Sequence, residues 1–190
     1  MPNSGRGVRS ATAIPWCWGA TAAEADADYP CDGLIARPEL RLHRAIGIQA
    51  SASTVYRWVC QLKVAPYSYD LIDNRGRRSP RKLTPGVEHL AIGQRWMVFS
   101  ICDFEPGAHV TGQVLPGPGR VFGPMAATYA SQARSDSSCR LVVRLTIAAA
   151  TGLRQIGPTA LAWGDLVMMR KQLRTIKQLA ERTPRSSCPG

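Results

Sequence analysis

The chain has 190 residues, 45% of them hydrophobic, with 24 Lys and Arg against 13 Asp and Glu, for a formal charge of +11. That apolar fraction excludes a disordered chain, the length suits one domain able to enclose a core and a modest cavity, and the charge favours anionic partners without bearing on fold. No apolar run approaches the ~20 residues that a membrane-spanning helix needs, and the six cysteines and three histidines show no C-x-x-C pair and no zinc or iron–sulfur spacing, so neither cofactor nor metal is expected.

The cysteines read as free thiols of a reducing compartment, which makes the cytoplasm the expected location. Residues 1–38 mix Gly, Ser, Ala and Pro with a small acidic cluster, Glu24, Asp26, Asp28 and Asp32. Arg6 and Arg9 ahead of "ATAIPWCWGATAA" faintly suggest a leader, but Pro15 and Gly19 break it. This part is expected to be an irregular extension lying over the domain and anchored by Trp16 and Trp18. "LRLHRAIGIQ" alternates, with Leu42, Ile46 and Ile48 on one face and Arg44 among them, and reads as a strand. In "SASTVYRWVCQL" the period changes. Val55, Trp58, Val59 and Leu62 make one helix face, Ser51 or Ser53 can cap it, and Pro66 stops it.

A short helix is expected over residues 69–74, ended by Gly76, and then a loop rich in Pro and Gly. "RWMVFSICDF" is read as one strand, with Met97, Phe99 and Ile101 sharing a face. The turn at Glu105-Pro-Gly-Ala makes a hairpin with "HVTGQVL". "MAATYASQA" is a weaker strand. "SDSS" turns the chain into "CRLVVRLTIA", a strong strand with Leu141, Val143, Leu145 and Ile147 on one face. Gly157 and Pro158 then suit the start of a long helix in which Leu166, Met169, Leu173, Ile176 and Ala180 keep helical spacing. Its first half, with Leu161, Trp163, Leu166, Val167, Met168 and Met169, is apolar nearly all round, so it is expected to be gripped by protein there and solvated beyond.

This order of elements resembles the helix-grip fold of the SRPBCC superfamily, which includes START lipid-transfer domains and polyketide cyclase/dehydrase-like proteins. "RAIGIQASASTVYRWVCQL" looks like the first strand and helix of that family, "YSYDLIDN" like a segment that follows them in bacterial members, "RLVVRLTI" like the last strand, and "GDLVMMRKQLRTIKQLAER" like the closing helix. The resemblance covers about residues 40–183. It implies an α+β domain over residues 39–183, with a curved antiparallel sheet wrapped around the C-terminal helix, a cavity between them, and a flexible tail at 184–190. About five strands are counted, where the family sheet has six or seven.

The resemblance further implies binding or transport of an apolar small molecule, lipid or polyketide-like. The expected walls are Met97, Phe99, Ile101, Leu141, Val143, Leu145, Trp163, Val167 and Met168. Tyr67 or Tyr69 is expected to face the cavity as an orienting hydroxyl, with Asp70 fixing the short helix. No G-x-S-x-G, H-E-x-x-H or phosphate-binding loop is present, and no catalytic residue is assigned. Two other readings stand beside this one. One is a cyclase or dehydratase using Tyr67, Tyr69 or Asp70. The other is a basic interaction protein with a filled core. The basic clusters at 75–82 and 170–185 fit weak contact with an anionic membrane surface better than nucleic acid, because no aromatic residues are interleaved with them. The oligomeric state is left open.

Overall fold

The structure, a computed structural model, describes residues 13–68, 78–117, 123–148 and 157–184. Its strands are β1 Cys17–Trp18, β2 Pro38–Ile48, β3 Arg95–Trp96, β4 Phe99–Glu105, β5 His109–Val114, β6 Met125–Ser135 and β7 Ser138–Ala148. They form one sheet in the order β1-β2-β7-β6-β5-β4-β3. β1 runs parallel to β2, and every other neighbouring pair is antiparallel. Helices lying wholly within the described residues are α1 Ala22–Asp26, α2 Ala52–Cys60 and α3 Pro158–Arg182. A sheet of this order packed on a long C-terminal helix is the helix-grip arrangement.

The alternation of β2 and β7 divides their side chains between two apolar clusters. Leu40, Leu42, Ile48, Leu141, Val143 and Ile147 join the main core with α2 and α3, while Ala45 and Val142 join a second cluster with Tyr29, Cys31 and Ile35. Both faces of these strands are therefore covered, which is why "LVV" at 141–143 is apolar without a break. Ser51 caps α2 by accepting a hydrogen bond from the Thr54 N–H at 3.2 Å. Val55, Trp58, Val59 and Leu62 are buried as one stripe. The helix gives way to a single 3-10 turn, Gln61–Lys63, before Pro66 is reached. In α3, Pro158 occupies the first turn behind Gly157, where its missing N–H is no loss.

The structure corrects the sequence reading at three places. Among the described residues seven strands replace the five counted, because β1 and β3 have two residues each and are too short to show a period. "RWMVFSICDF" is two strands. Trp96 pairs with Phe99 across a two-residue turn in which Met97 takes φ +55°, so Met97 sits in the turn and not on the strand face of Phe99 and Ile101. The first half of α3 is not gripped all round: Trp163 and Val167 are 49% and 51% exposed, because the sheet covers only one side of the helix. The short helix expected at 69–74 lies outside the described residues.

Residues 13–37 form a strap over the convex face of the sheet. β1 extends the sheet edge, Thr21 and Glu24 cap α1 reciprocally, and the Cys31 N–H donates to Thr128 Oγ1 of β6 at 3.1 Å. At Gly19 (φ +73°) a Cβ would stand 2.2 Å from the Ala45 carbonyl oxygen, so the strap can approach β2 only through glycine.

Candidate functional site

α3 packs against one face of the sheet, and the side chains between them follow from the register. Across the sheet, Leu42, Leu145, Ala127, Gly112 and Ile101 make one row, and Arg44, Val143, Tyr129 and Val110 make the next. Gly112 leaves a gap in the first row. A Cβ there would meet Phe99 Cβ at 2.7 Å and Trp96 Cε3 at 3.3 Å, so its absence lets the Trp96 ring lie close over the sheet. Trp96 is fully buried, packs edge-on to Tyr129 with centroids 5.0 Å apart, and donates from Nε1 to the Val59 carbonyl of α2 at 3.0 Å.

A polar chain crosses this apolar interior. Tyr129 Oη donates to Gln172 Oε1 of α3 at 2.7 Å, and Gln172 Nε2 donates to the Pro66 carbonyl at 2.6 Å. Two thioethers flank it. Met169 Sδ lies 3.4 Å from Tyr129 Oη, and Met97 Sδ lies 3.4 Å from Gln172 Nε2. Tyr129 and Gln172 are almost wholly buried, while Met97 and Met169 are half-buried. Burial, with the Asp165 carboxylate behind it, holds the Tyr129 phenol well above its ordinary pKa, so it serves as a neutral donor.

Farther toward the helix N-terminus, Arg44 reaches from β2 under α3. Its Nη2 is 2.8 Å from Asp165 Oδ2, and Nη1 donates to the Trp16 carbonyl of the strap at 2.9 Å. Burial pushes the Asp165 carboxyl up, against the pull of Arg44. This pair ties strap, strand and helix together beneath a single turn of α3.

Of the residues named from the sequence, Phe99, Ile101, Leu141 and Val143 lie buried in the main core, and Leu145 and Met97 pack half-buried against it. Tyr67 is buried, meets Trp58 edge-on at 5.8 Å and donates its hydroxyl to the Pro80 carbonyl at 2.7 Å. Trp163 and Val167 face outward and Met168 is half-buried, so none of the three is brought inside with the rest. Tyr69 and Asp70 lie outside the described residues. Sequence reasoning missed Tyr129 and Gln172. Gln172 carried a signal, being a polar residue three positions after Met169 and four before Ile176 on the apolar stripe of α3. Tyr129 stood in a strand that looked weak. Among the described residues no group of His, Cys, Asp and Glu is arranged to hold a metal ion, and no helix is long and apolar enough to cross a membrane.

No family model and no curated protein matches the chain. Solved structures do match. A protein from Thermobifida fusca, solved by solution NMR, superposes with TM-score 0.51 at 13% identity, over 75% of this chain and 93% of that one. A START superfamily protein from Mycobacterium smegmatis gives TM-score 0.46 at 17% identity, over 75% and 97%. The di-domain ARO/CYC BexL from the BE-7585A biosynthetic pathway gives 0.43 at 16%, over 74% and 46%. At such identities the likeness is one of fold.

Proposed function

From a chain with a helix-grip, SRPBCC-like fold, we propose that the protein binds a small apolar molecule, lipid or polyketide-like, between α3 and the sheet, and carries it unchanged. The observation that supports this best is the Tyr129–Gln172–Pro66 chain, a few orienting hydrogen-bonding groups inside an otherwise apolar interior. Met97 and Met169, both half-buried and in contact with that chain, are unbranched side chains that can swing aside to admit a ligand. Phe99, Ile101, Leu141, Val143 and Leu145 then supply apolar area, worth roughly 25 cal/mol per Å² removed from water. Trp163 and Val167 stand at the outer surface of the helix, with half-buried Met168 beside them, where they suit a docking rim better than a wall.

The ligand class comes from the resemblance seen in the sequence. Among the described residues no observation supports the cyclase or dehydratase reading: the Tyr67 hydroxyl is engaged by a backbone carbonyl, and Tyr69 and Asp70 lie outside them. The filled-core reading has one: Leu141, Ile101 and Val143 are each 2% exposed or less and pack in a single cluster.

Native mass spectrometry of protein isolated from its own host, followed by titration with a fluorescent long-chain fatty acid, separates the two. A co-purified apolar molecule, or saturable enhancement of the probe that Gln172→Leu weakens, supports carriage. Unliganded protein alone and no saturable signal would overturn it in favour of a basic protein with a filled core.

A further inference from the structure

One side of α3 carries a stripe that is apolar at one end and cationic at the other. Trp163, Val167, Arg170 and Arg174 follow one another at helical spacing, so they share a face, beside the buried arc of Ala162, Leu166, Leu173 and Ile176. Trp163 and Val167 are open to solvent, as are Lys171 and Arg174.

The strap adds to this stripe. Trp18 of β1 lies half-buried against it, with the guanidinium of Arg170 5.5 Å and that of Arg174 5.9 Å from the ring centroid. An indole beside a guanidinium holds it in place without neutralising it and leaves its N–H fork free to donate. Carboxylates do not neutralise these cations either. The acids of α3 are Asp165 and Glu181, and both are taken, the first by Arg44 and the second by Lys177, each at 2.8 Å. Glu24 of the strap is taken by Arg140 at 2.7 Å. Among the described residues the side chains of Arg170, Lys171 and Arg174 have no ion-pair partner and donate no hydrogen bond.

The two ends of the stripe together select the occupant. A free anion would answer the cations and leave Trp163 and Val167 in water. An apolar surface would cover those two and bury charges without partners. An anionic bilayer answers both, since indoles favour headgroup depth and arginine forks take phosphate oxygens in pairs. We propose that Trp18 of the strap and the Trp163–Val167–Arg170–Arg174 stripe of α3 form one docking surface for an anionic phospholipid bilayer. Trp163 and Val167 enter the headgroup boundary, and Arg170, Lys171 and Arg174 take lipid phosphates. The strap belongs to the surface because Trp18 holds the two guanidinium groups. The surface lies outside the grip interior and stands whether or not that interior carries a ligand.

Phosphatidylcholine vesicles with and without phosphatidylserine are the probes, used with the full chain and two charge-matched double variants. Arg170→Gln, Arg174→Gln removes two cations from the stripe, and Arg81→Gln, Lys82→Gln removes two exposed ones from the loop ahead of β3. The unsubstituted protein should sediment with the phosphatidylserine vesicles and not with phosphatidylcholine alone. The helix pair should weaken that binding by about thirtyfold, at roughly fivefold for each basic residue near an anionic surface, and the loop pair by no more than about twofold. Trp18→Leu should weaken it too, although it removes no charge. A lipid brominated high in its acyl chain should quench the tryptophan emission, and Trp163→Phe should remove most of that quenching, because Trp58 and Trp96 are buried. The quenching is read with both arginines in place, so it still answers if their substitution loosens the strap. Absent binding, equal losses from the two double variants, binding indifferent to Trp18, unquenched emission, or displacement of the vesicles from the arginines by a short oligonucleotide would each overturn the proposal.

Discussion

A glutamine buried to 4% exposure in a helix stripe is a demanding residue, because its amide must find partners inside the core or leave the helix short of stability. Gln172 finds them in Tyr129 and in the Pro66 carbonyl, and each end of the chain depends on the other. Tyr129→Phe should therefore cost about 1–3 kcal/mol, the range for stranding a buried acceptor, although it removes only one oxygen. Gln172→Leu should cost a similar amount by stranding the tyrosine hydroxyl and the Pro66 carbonyl. The double variant strands only the carbonyl, so the two effects should fall short of additivity by about 0.5–3 kcal/mol in a denaturation cycle. Strict additivity would show that the hydroxyl and the amide do not depend on one another. Half of this site could be read in the sequence. Gln172 is not counted in the stripe read from the spacing, although it falls between Met169 and Ile176 on that face; its partner lies 43 positions away, and no local pattern connects them.

A hydrophobic period shows which faces of an element are apolar, and it is silent on which of those faces has a neighbour. On α3 the buried arc of Leu166, Leu173, Ile176 and Ala180 falls where the spacing put it. Leu173→Ala should cost ~2–5 kcal/mol in chemical denaturation. The same residue count made Trp163 and Val167 look equally enclosed, yet they form the outer face, one turn ahead of the exposed Lys171 and Arg174. Trp163→Ser should shift stability by no more than about 0.5 kcal/mol, as surface changes do. An apolar patch continued by cations suits an anionic bilayer, in which the indole sits at headgroup depth and each Lys or Arg adds about 1 kcal/mol. Flotation with phosphatidylserine-containing vesicles should show binding at low salt that is lost at high salt and weakened by Trp163→Ser. Binding that is absent at low salt, or indifferent to Trp163, would leave this face without that role.

For the molecule as a whole, the feature least legible in the sequence is that the sheet is covered on both sides. The strap has no period to read. Its shape comes from contacts made more than a hundred residues away, among them Arg140 with Glu24 at 2.7 Å and Arg144 with Asp32 at 3.0 Å. Those contacts give the strap a pH signature. His43 beneath it titrates at about 4 when folded, against an ordinary value of 6.5. The unfolded chain therefore takes up that proton first. The stabilisation is whole above pH 6.5, is lost progressively as the pH falls toward 4, and falls no further below that, for about 3 kcal/mol in all. Glu24, held down to about 2 chiefly by its hydrogen bonds from Arg140, adds a second loss between its ordinary 4.5 and 2. Asp165, raised by burial, acts in the opposite sense, but it is common to every variant of the strap and cancels in comparison. Urea denaturation at a series of pH values should then show His43→Gln flattening the decline between pH 6.5 and 4, and Glu24→Gln flattening only the decline below 4.5. The slope is the readout, so a variant that is less stable throughout still answers. A His43→Gln curve parallel to that of the unsubstituted protein across the upper window would mean that His43 is not held neutral under the strap, and that the strap does not close over it in solution.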